Sequence, residues 1–324
     1  MQRVLRDIRR ALAELDSAAS RATEWQGRAL EREPALGGET PRTVAAQLLE
    51  GAFEAREVQP RLSGFAGFLD GVQTSRVAGF AGGVPIVVAT VAAVVRERVE
   101  RRLRTWDAGF ETELRLYVPR QLVQRDLLQQ LDASGVEVVD TLEGEKGEWP
   151  HPHLLLQRAV HTVQRQREEL ERELAERWCR VRGQPLLVDG GLPPGGACRA
   201  LRYCVGAVKS HNTLYATGPL LESILALPVG WRSPAIRVEH HWAPPCTSWY
   251  LRLHPPAPDD PLRGLLRVEA ALEAGPSLTE EADTISGWLL NERAPLALPD
   301  SRWPVLLYGI RDCEEWLRAN GARR

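Results

Sequence analysis

Phe68-Leu69-Asp70-Gly71 and Leu187-Val188-Asp189-Gly190 share one form, an apolar run that ends in an aspartate followed directly by glycine. Each predicts a buried strand that delivers a carboxylate to its tip, with the glycine letting the backbone turn away from an approaching ligand. One Asp-Gly alone reads as a turn. Two carry more, because of what lies between them. After the first, the β-prone runs Val77 to Ala81 and Val84 to Val88 flank Gly82-Gly83, which predicts a hairpin. Before the second, helical spacing runs from about Leu154 to Arg180, with a heavily charged outer face.

Working outward, strand-like alternation begins at Gly64, with a first strand ending at Asp70, a second near Arg76 to Phe80 and a third from Val84 to Val95. Arg96 to Arg104 is dense in charge and reads as an exposed helix or strand-to-helix transition, solvated or in contact with phosphate. Phe110 to Leu131 reads as helical and Val136 to Val139 as a short strand. Ala200 to Lys209 reads as a strand and Leu214 to Leu227 as a helix. Trp249 to Leu253 and Leu265 to Glu269 read as paired strands, and helices from Leu278 to Asn291 and Ile310 to Ala319 close the chain. Towards the N-terminus, Val4, Ile8, Leu12 and Leu15, then Val44, Leu48, Leu49 and Phe53, recur at helical spacing. This predicts a helical arm over residues 1–60 and one core over 61–324. There are no repeats and no long linker.

The chain of 324 residues has a formal net charge of -2 and a pI near 6.4, so any contact with nucleic acid is local rather than a property of the whole surface. Lys146 and Lys209 are its only lysines against many arginines. The five cysteines form no CxxC pair, and in a chain of this size they predict reduced thiols and a cytoplasmic setting. The first residues carry charges where a signal peptide needs apolar ones. The longest apolar stretch, Val84 to Val95, falls short of the roughly 20 residues that span a bilayer. A soluble protein without membrane contact is expected.

The site chemistry follows from the carboxylates. Two divalent ions about 3.5–4 Å apart can hold both the attacking and the leaving oxygen of a phosphodiester, and they need hard anionic ligands. Asp70 and Asp189 fit that need, and a third carboxylate is expected from the helix before the second strand. Glu168, Glu169, Glu171, Glu173 and Glu176 all stand there. Glu169 and Glu173 lie one turn apart on one face, and Glu169 is preferred as the ligand with Glu173 beside it. Lys209 ends a strand next to Ser210 and His211. It is either a phosphate-holding cation or a surface lysine, and His211 either a proton donor or a structural group. His240-His241 and His254 lack the pairing of a helical zinc site. Gly191 to Gly196 holds two prolines and no GKS/T, and no GxSxG is present.

Strand with Asp, hairpin, acidic helix and strand with Asp is the order of a ribonuclease H-like fold. In these residues the chain resembles the NurA family of nucleases. The matching stretches are Asp70-Gly71 with Ser75, Leu187 to Leu192, Gly206 to Ser210, and the later runs Ser248 to Leu253 and Gly264 to Glu269. The resemblance implies an α/β ribonuclease H-like mixed sheet flanked by helices, with helical insertions. It implies a DNA nuclease using two Mn2+ or Mg2+ ions, a homodimer, and a HerA-type hexameric ATPase as partner in DNA end processing or antiphage defence. Asp70 and Asp189 map onto the family's metal ligands, and Glu169 or Glu173 onto the helical one. The C-terminal motif departs from the family's Tyr-Pro and Ala-His, with Trp303-Pro304 and Ile310-Arg311 in their place. Arg311 there offers a phosphate contact and Asp312 a carboxylate. Two other readings stand beside the DNase: a catalytically degenerate subunit that binds DNA or adapts an ATPase, and an RNase or structure-specific nuclease on the same fold.

Overall fold

A computed structural model describes residues 1–15, 41–51, 54–142, 151–239, 244–293 and 306–321. In chain order the elements are α1 (Gln2–Leu15), β1 (Arg42–Thr43), β2 (Gln47–Leu48), β3 (Arg56–Glu57), β4 (Gly67–Ala81), β5 (Val84–Val99), β6 (Arg102–Val118), α2 (Arg125–Asp132), β7 (Glu137–Asp140) and α3 (Pro152–Val181). There follow β8 (Leu186–Asp189), α4 (Gly196–Ala200), β9 (Cys204–Val208), β10 (Thr213–Leu214), α5 (Gly218–Leu225), β11 (Trp231–Arg232), β12 (Ile236–Val238), β13 (Cys246–Arg252), β14 (Leu265–Ala270), α6 (Leu278–Glu292) and α7 (Tyr308–Asn320).

A 12-stranded mixed sheet holds every strand but β1 and β10, which pair separately; its main path runs β2-β12-β13-β14-β9-β8-β4-β5-β6-β7, with β11 beside β13 and β3 beside β11. Its middle, β6-β5-β4-β8-β9, is an antiparallel meander joined to two strands parallel to β4, with α3 in the crossover. This is the ribonuclease H-like order expected from the two Asp runs, in an α/β architecture flanked by helices.

The pleat assigns each face. Phe68, Leu187, Val205 and Ala207 point to one side, where they pack with Ile285 and Leu289 of α6 and with Ile310, Cys313 and Leu317 of α7. Leu69, Leu186 and Val188 point to the other side and pack under α3 against Leu170, Leu174 and Trp178. Burying each such side chain contributes about 1.5–3 kcal/mol, so both faces are strongly specified. At the far end of the meander, Leu5, Ile8 and Leu12 of α1 close over Ile86, Val88 and Leu116 together with α2.

Three expectations are corrected. Asp70 does not end a strand: β4 is a single 15-residue strand that runs through Asp70-Gly71 to Ala81 and pairs with β5 almost throughout. The helix expected over Phe110 to Leu131 is helical only in its last part, α2, whereas Phe110 to Val118 belongs to β6, a 17-residue strand. Phe110-Glu111-Thr112-Glu113-Leu114-Arg115-Leu116 alternates with period two, and that pattern outweighs helix propensity once β5 offers a partner edge. The charged run Arg96 to Arg104 is a hairpin that turns at Glu100 and Arg101, both at positive φ. Its charges are held in ion pairs, Arg98 with Glu292 at 2.7 Å and Arg104 with Glu97 at 3.2 Å.

The N-terminal arm is helical only in its first part among the described residues. Leu48 belongs to β2, which adds to the edge of the sheet at β12. Phe53 and the breaks at Glu33-Pro34 and Gly37-Gly38 lie outside the described residues. No helix among the described residues is long and apolar enough to cross a membrane.

Candidate metal centre

Register brings the two aspartates together. β4 and β8 run parallel with Leu69 opposite Val188, so the next residues, Asp70 and Asp189, emerge side by side. Pleat parity sends both towards α7, the side of Phe68 and Leu187. There α7 supplies Glu314, and one carboxylate oxygen from each of Asp70, Asp189 and Glu314 lies within 4.8 Å of the others. Asp189 is opposite Ala207 on β9, which places Lys209 on the same side just beyond the strand. Its Nζ is 2.9 Å from Asp189 Oδ1 and 4.0 Å from Glu314 Oε1.

The two glycines act differently. Gly190 has φ 113°, a conformation that favours glycine, and the chain leaves the sheet there as the sequence suggests. Gly71 sits inside β4 and makes no turn. A Cβ at residue 71 would run into the Glu171 carboxylate, so the missing side chain is a notch through which α3 reaches the cluster. Glu171 is buried, and Arg167 pairs with it from one turn earlier while also bonding Gln73 at 3.3 Å.

Electrostatics mark the cluster as anionic. Burial pushes the Asp70 carboxyl well above its ordinary range; the neighbouring charges of Asp189, Glu171 and Glu314 add to this, and Lys209 opposes it. Burial likewise raises Glu171 to about 7, although Arg167 holds it down. Hard oxygen donors under mutual repulsion are the donor set that Mn2+ or Mg2+ requires. The spacing also fits, since oxygens about 2.1 Å from one Mg2+ lie about 3–4 Å apart.

The other expected site residues fall elsewhere. Glu169 is exposed and paired with Arg172, and Glu173 is exposed; α3 turns both away from the sheet. The carboxylate that α3 brings inward is Glu171, because Leu170, Leu174 and Trp178 fix which stripe of the helix faces the core. His211 Nε2 lies 2.9 Å from the Leu265 carbonyl oxygen and its ring is near Tyr250, not at the cluster. Arg311 is on α7 and bonds Glu315 at 2.8 Å. Asp312 is paired with Arg96. Trp303-Pro304 lies outside the described residues.

Glu171 and Glu314 carried a readable signal. Each is an acid inside an otherwise apolar helical stripe, Glu171 among Leu170, Leu174 and Trp178, and Glu314 among Ile310, Cys313 and Leu317. An acid buried in such a stripe needs a partner.

Two cavities flank α3. One of about 290 Å³ opens between α3 and the tip of β8, with Arg167, Glu171, Asp189 and Arg267 on its wall. A larger one of about 820 Å³ runs along the first half of α3 past Arg158, His161 and Arg165, and does not include the acidic cluster. Size does not single out the acidic cluster here, because open polar grooves are large without converging chemistry.

No protein-family model matches the chain, and no curated protein matches it. Among solved structures it is similar to the NurA nuclease from Sulfolobus solfataricus, at 12% identity over 81% of each chain with a TM-score of 0.46. The fold assignment rests on strand order and register, not on that likeness.

Proposed function

We propose that this chain is a metal-dependent nuclease of NurA-like type that hydrolyses phosphodiester bonds in DNA. The observation that carries the reading is the convergence of Asp70, Asp189 and Glu314 from three separate elements on one point. These residues would hold two Mn2+ or Mg2+ ions, with Glu171 at their edge. Bound there, the ions would supply Lewis-acid activation of water and neutralise charge on the phosphate.

The chain's own groups divide the remaining work. Asp70 is fixed by its neighbours on β4 and by burial, so the donor set is organised in advance. Lys209 Nζ, now on Asp189, is within reach of a scissile phosphate that draws the ammonium away from the carboxylate. Glu171, paired with Arg167, would add a further acidic oxygen at the edge of the cluster. Arg158, His161 and Arg165 would bind the flanking polyanion along α3.

The test compares Mn2+-dependent cleavage of single-stranded DNA, duplex DNA and RNA by the wild type, Asp70→Ala, Asp189→Ala and Glu314→Gln. Loss in all three variants supports the site, and cleavage unaffected by any of them removes it. The substrate panel separates a DNase from an RNase. A homodimer and a HerA-type ATPase partner are proposed from the sequence resemblance, and co-purification with a neighbouring ATPase tests them.

A second reading, a silent DNA-binding or adaptor subunit, draws on Lys209. Its ammonium already stands at the carboxylates where a cation belongs. Under that reading Mn2+ neither binds the cluster nor promotes cleavage, while DNA is still retained.

A further inference from the structure

We propose that Cys179, Cys198 and Cys204 form a second metal site, for a single thiophilic d10 cation such as zinc(II) or copper(I), separate from the carboxylate cluster. The three residues come from the last turns of α3, from α4 and from the first position of β9. Their sulfurs lie within 4.8 Å of one another, and those of Cys179 and Cys198 are 3.4 Å apart. A zinc–thiolate bond of about 2.3 Å puts two sulfurs on one ion roughly 4 Å apart, so the trio can close on a cation with small side-chain shifts.

The remaining cysteines show what ordinary burial looks like in this chain. Cys313 donates to the Phe68 carbonyl oxygen, and Cys246 is pushed up by burial on β13. Neither belongs to a group of converging sulfurs among the described residues. In the trio, each thiol has the other two as neighbours.

An acidic group stands beside the sulfurs. Glu176, three residues before Cys179, accepts N–H bonds from Ala197 and Cys198, both at 3.2 Å. It thereby ties α3 to α4 at the residue that carries one of the sulfurs, and zinc, which takes four ligands, would draw its fourth from outside the trio. Copper(I) is content with three sulfurs. Loading releases one proton from each bound thiol to solvent and changes no oxidation state. The site would clamp α3, which carries Glu171, to β9, which leads to Lys209.

The experiment uses the full chain with Asp70→Asn and Asp189→Asn, so that the carboxylates do not compete, under anaerobic reducing conditions. Zinc, cadmium and copper(I) are titrated separately, with bound metal, released protons and the near-ultraviolet thiolate-to-cadmium band as readouts. The expected result is one cation per chain, about three protons released on loading, and a higher midpoint of thermal unfolding. Cys198→Ala should weaken cadmium binding by at least about tenfold, having lost one of three bonds, whereas Cys246→Ala should leave it unchanged. A parent chain with reduced thiols that shows no thiolate band overturns the proposal without recourse to any cysteine variant. Binding that survives Cys198→Ala in a folded chain overturns it too. The relative affinities decide between the zinc and copper(I) forms. Since the carboxylates are already disabled, none of these results depends on whether the chain is a nuclease.

Discussion

Two buried ionic clusters in this protein have opposite characters. At the sheet edge, the fully buried Arg232 guanidinium grips Glu50 through Nη1 and Nη2 at 2.7 and 2.9 Å, and Asp283 through Nε at 2.6 Å. Thr279 and the Ala235 N–H complete the shell of Glu50. At the centre, Asp70, Asp189 and Glu314 converge, and among the described residues no ion pair reaches Asp70. The first cluster satisfies its own charges and ties the N-terminal segment to β11 and α6. The second leaves Asp70 buried among carboxylates that Lys209 only partly balances, which costs stability unless something more positive occupies it. Burial alone does not separate the two clusters; the partners do.

The largest effect expected from breaking the contrast is on catalysis. Asp70→Ala or Asp189→Ala should lower Mn2+-dependent cleavage by about 10⁴-fold, roughly 5 kcal/mol in activation free energy, in a single-turnover assay. Arg232→Met should destabilise the fold by about 3–5 kcal/mol in urea denaturation, because it strands Glu50 and Asp283.

The same pair has a pH signature. Burial alone would raise Glu50, but the Arg232 and Thr279 hydrogen bonds, the Arg232 charge and the Ala235 N–H outweigh it and hold the carboxyl at about 2. A folded pKa below the ordinary value of 4.5 means that the contribution is full above about 4.5 and is lost as pH falls towards 2. Glu50→Gln should flatten the stability profile over that window.

At the centre the signs reverse. Mn2+ at a hundred times its dissociation constant should stabilise the wild type by about 2.7 kcal/mol in thermal unfolding, and chelation should remove the effect. Asp70→Asn should stabilise the metal-free protein by about 1–2 kcal/mol, by removing one member of a repelling set. With its folded pKa raised, Asp70 costs stability as pH rises from its unfolded range towards its folded value, and the variant should lose that decline. The smallest effect belongs to Glu169→Gln. An exposed residue paired only along its own helix should change stability by less than about 0.5 kcal/mol and leave cleavage intact. A large loss there, with Glu171→Gln silent, would reverse the assignment of the helical acid.

Legibility varied along the chain for physical reasons. The two Asp runs, the hairpin and α3 were readable because each is long, apolar on a definite face and locally consistent. β6 was misread although Phe110 to Leu116 alternates, because charges on its second face mimic a solvated helix. Those charges in fact meet α3, where Arg177 pairs with Glu111 at 2.8 Å. Glu171 was hidden among five acids on one helix. Choosing it needs the phase of α3 over the sheet, and that phase is set by how Leu170, Leu174 and Trp178 pack.

By itself the sequence determined that this chain has a strand-hairpin-helix-strand core and that two aspartates sit at equivalent places in it. Those are consequences of local period and of short-range turn chemistry. Only the tertiary structure decided what completes the cluster. Glu314 lies 244 residues after Asp70 in the numbering of the chain and reaches it only because α7 packs across β4 on the face that pleat parity gives to both aspartates. Likewise, Gly71 looked like a turn and is instead an opening for Glu171, since the space a missing Cβ leaves is defined by the element packed above it.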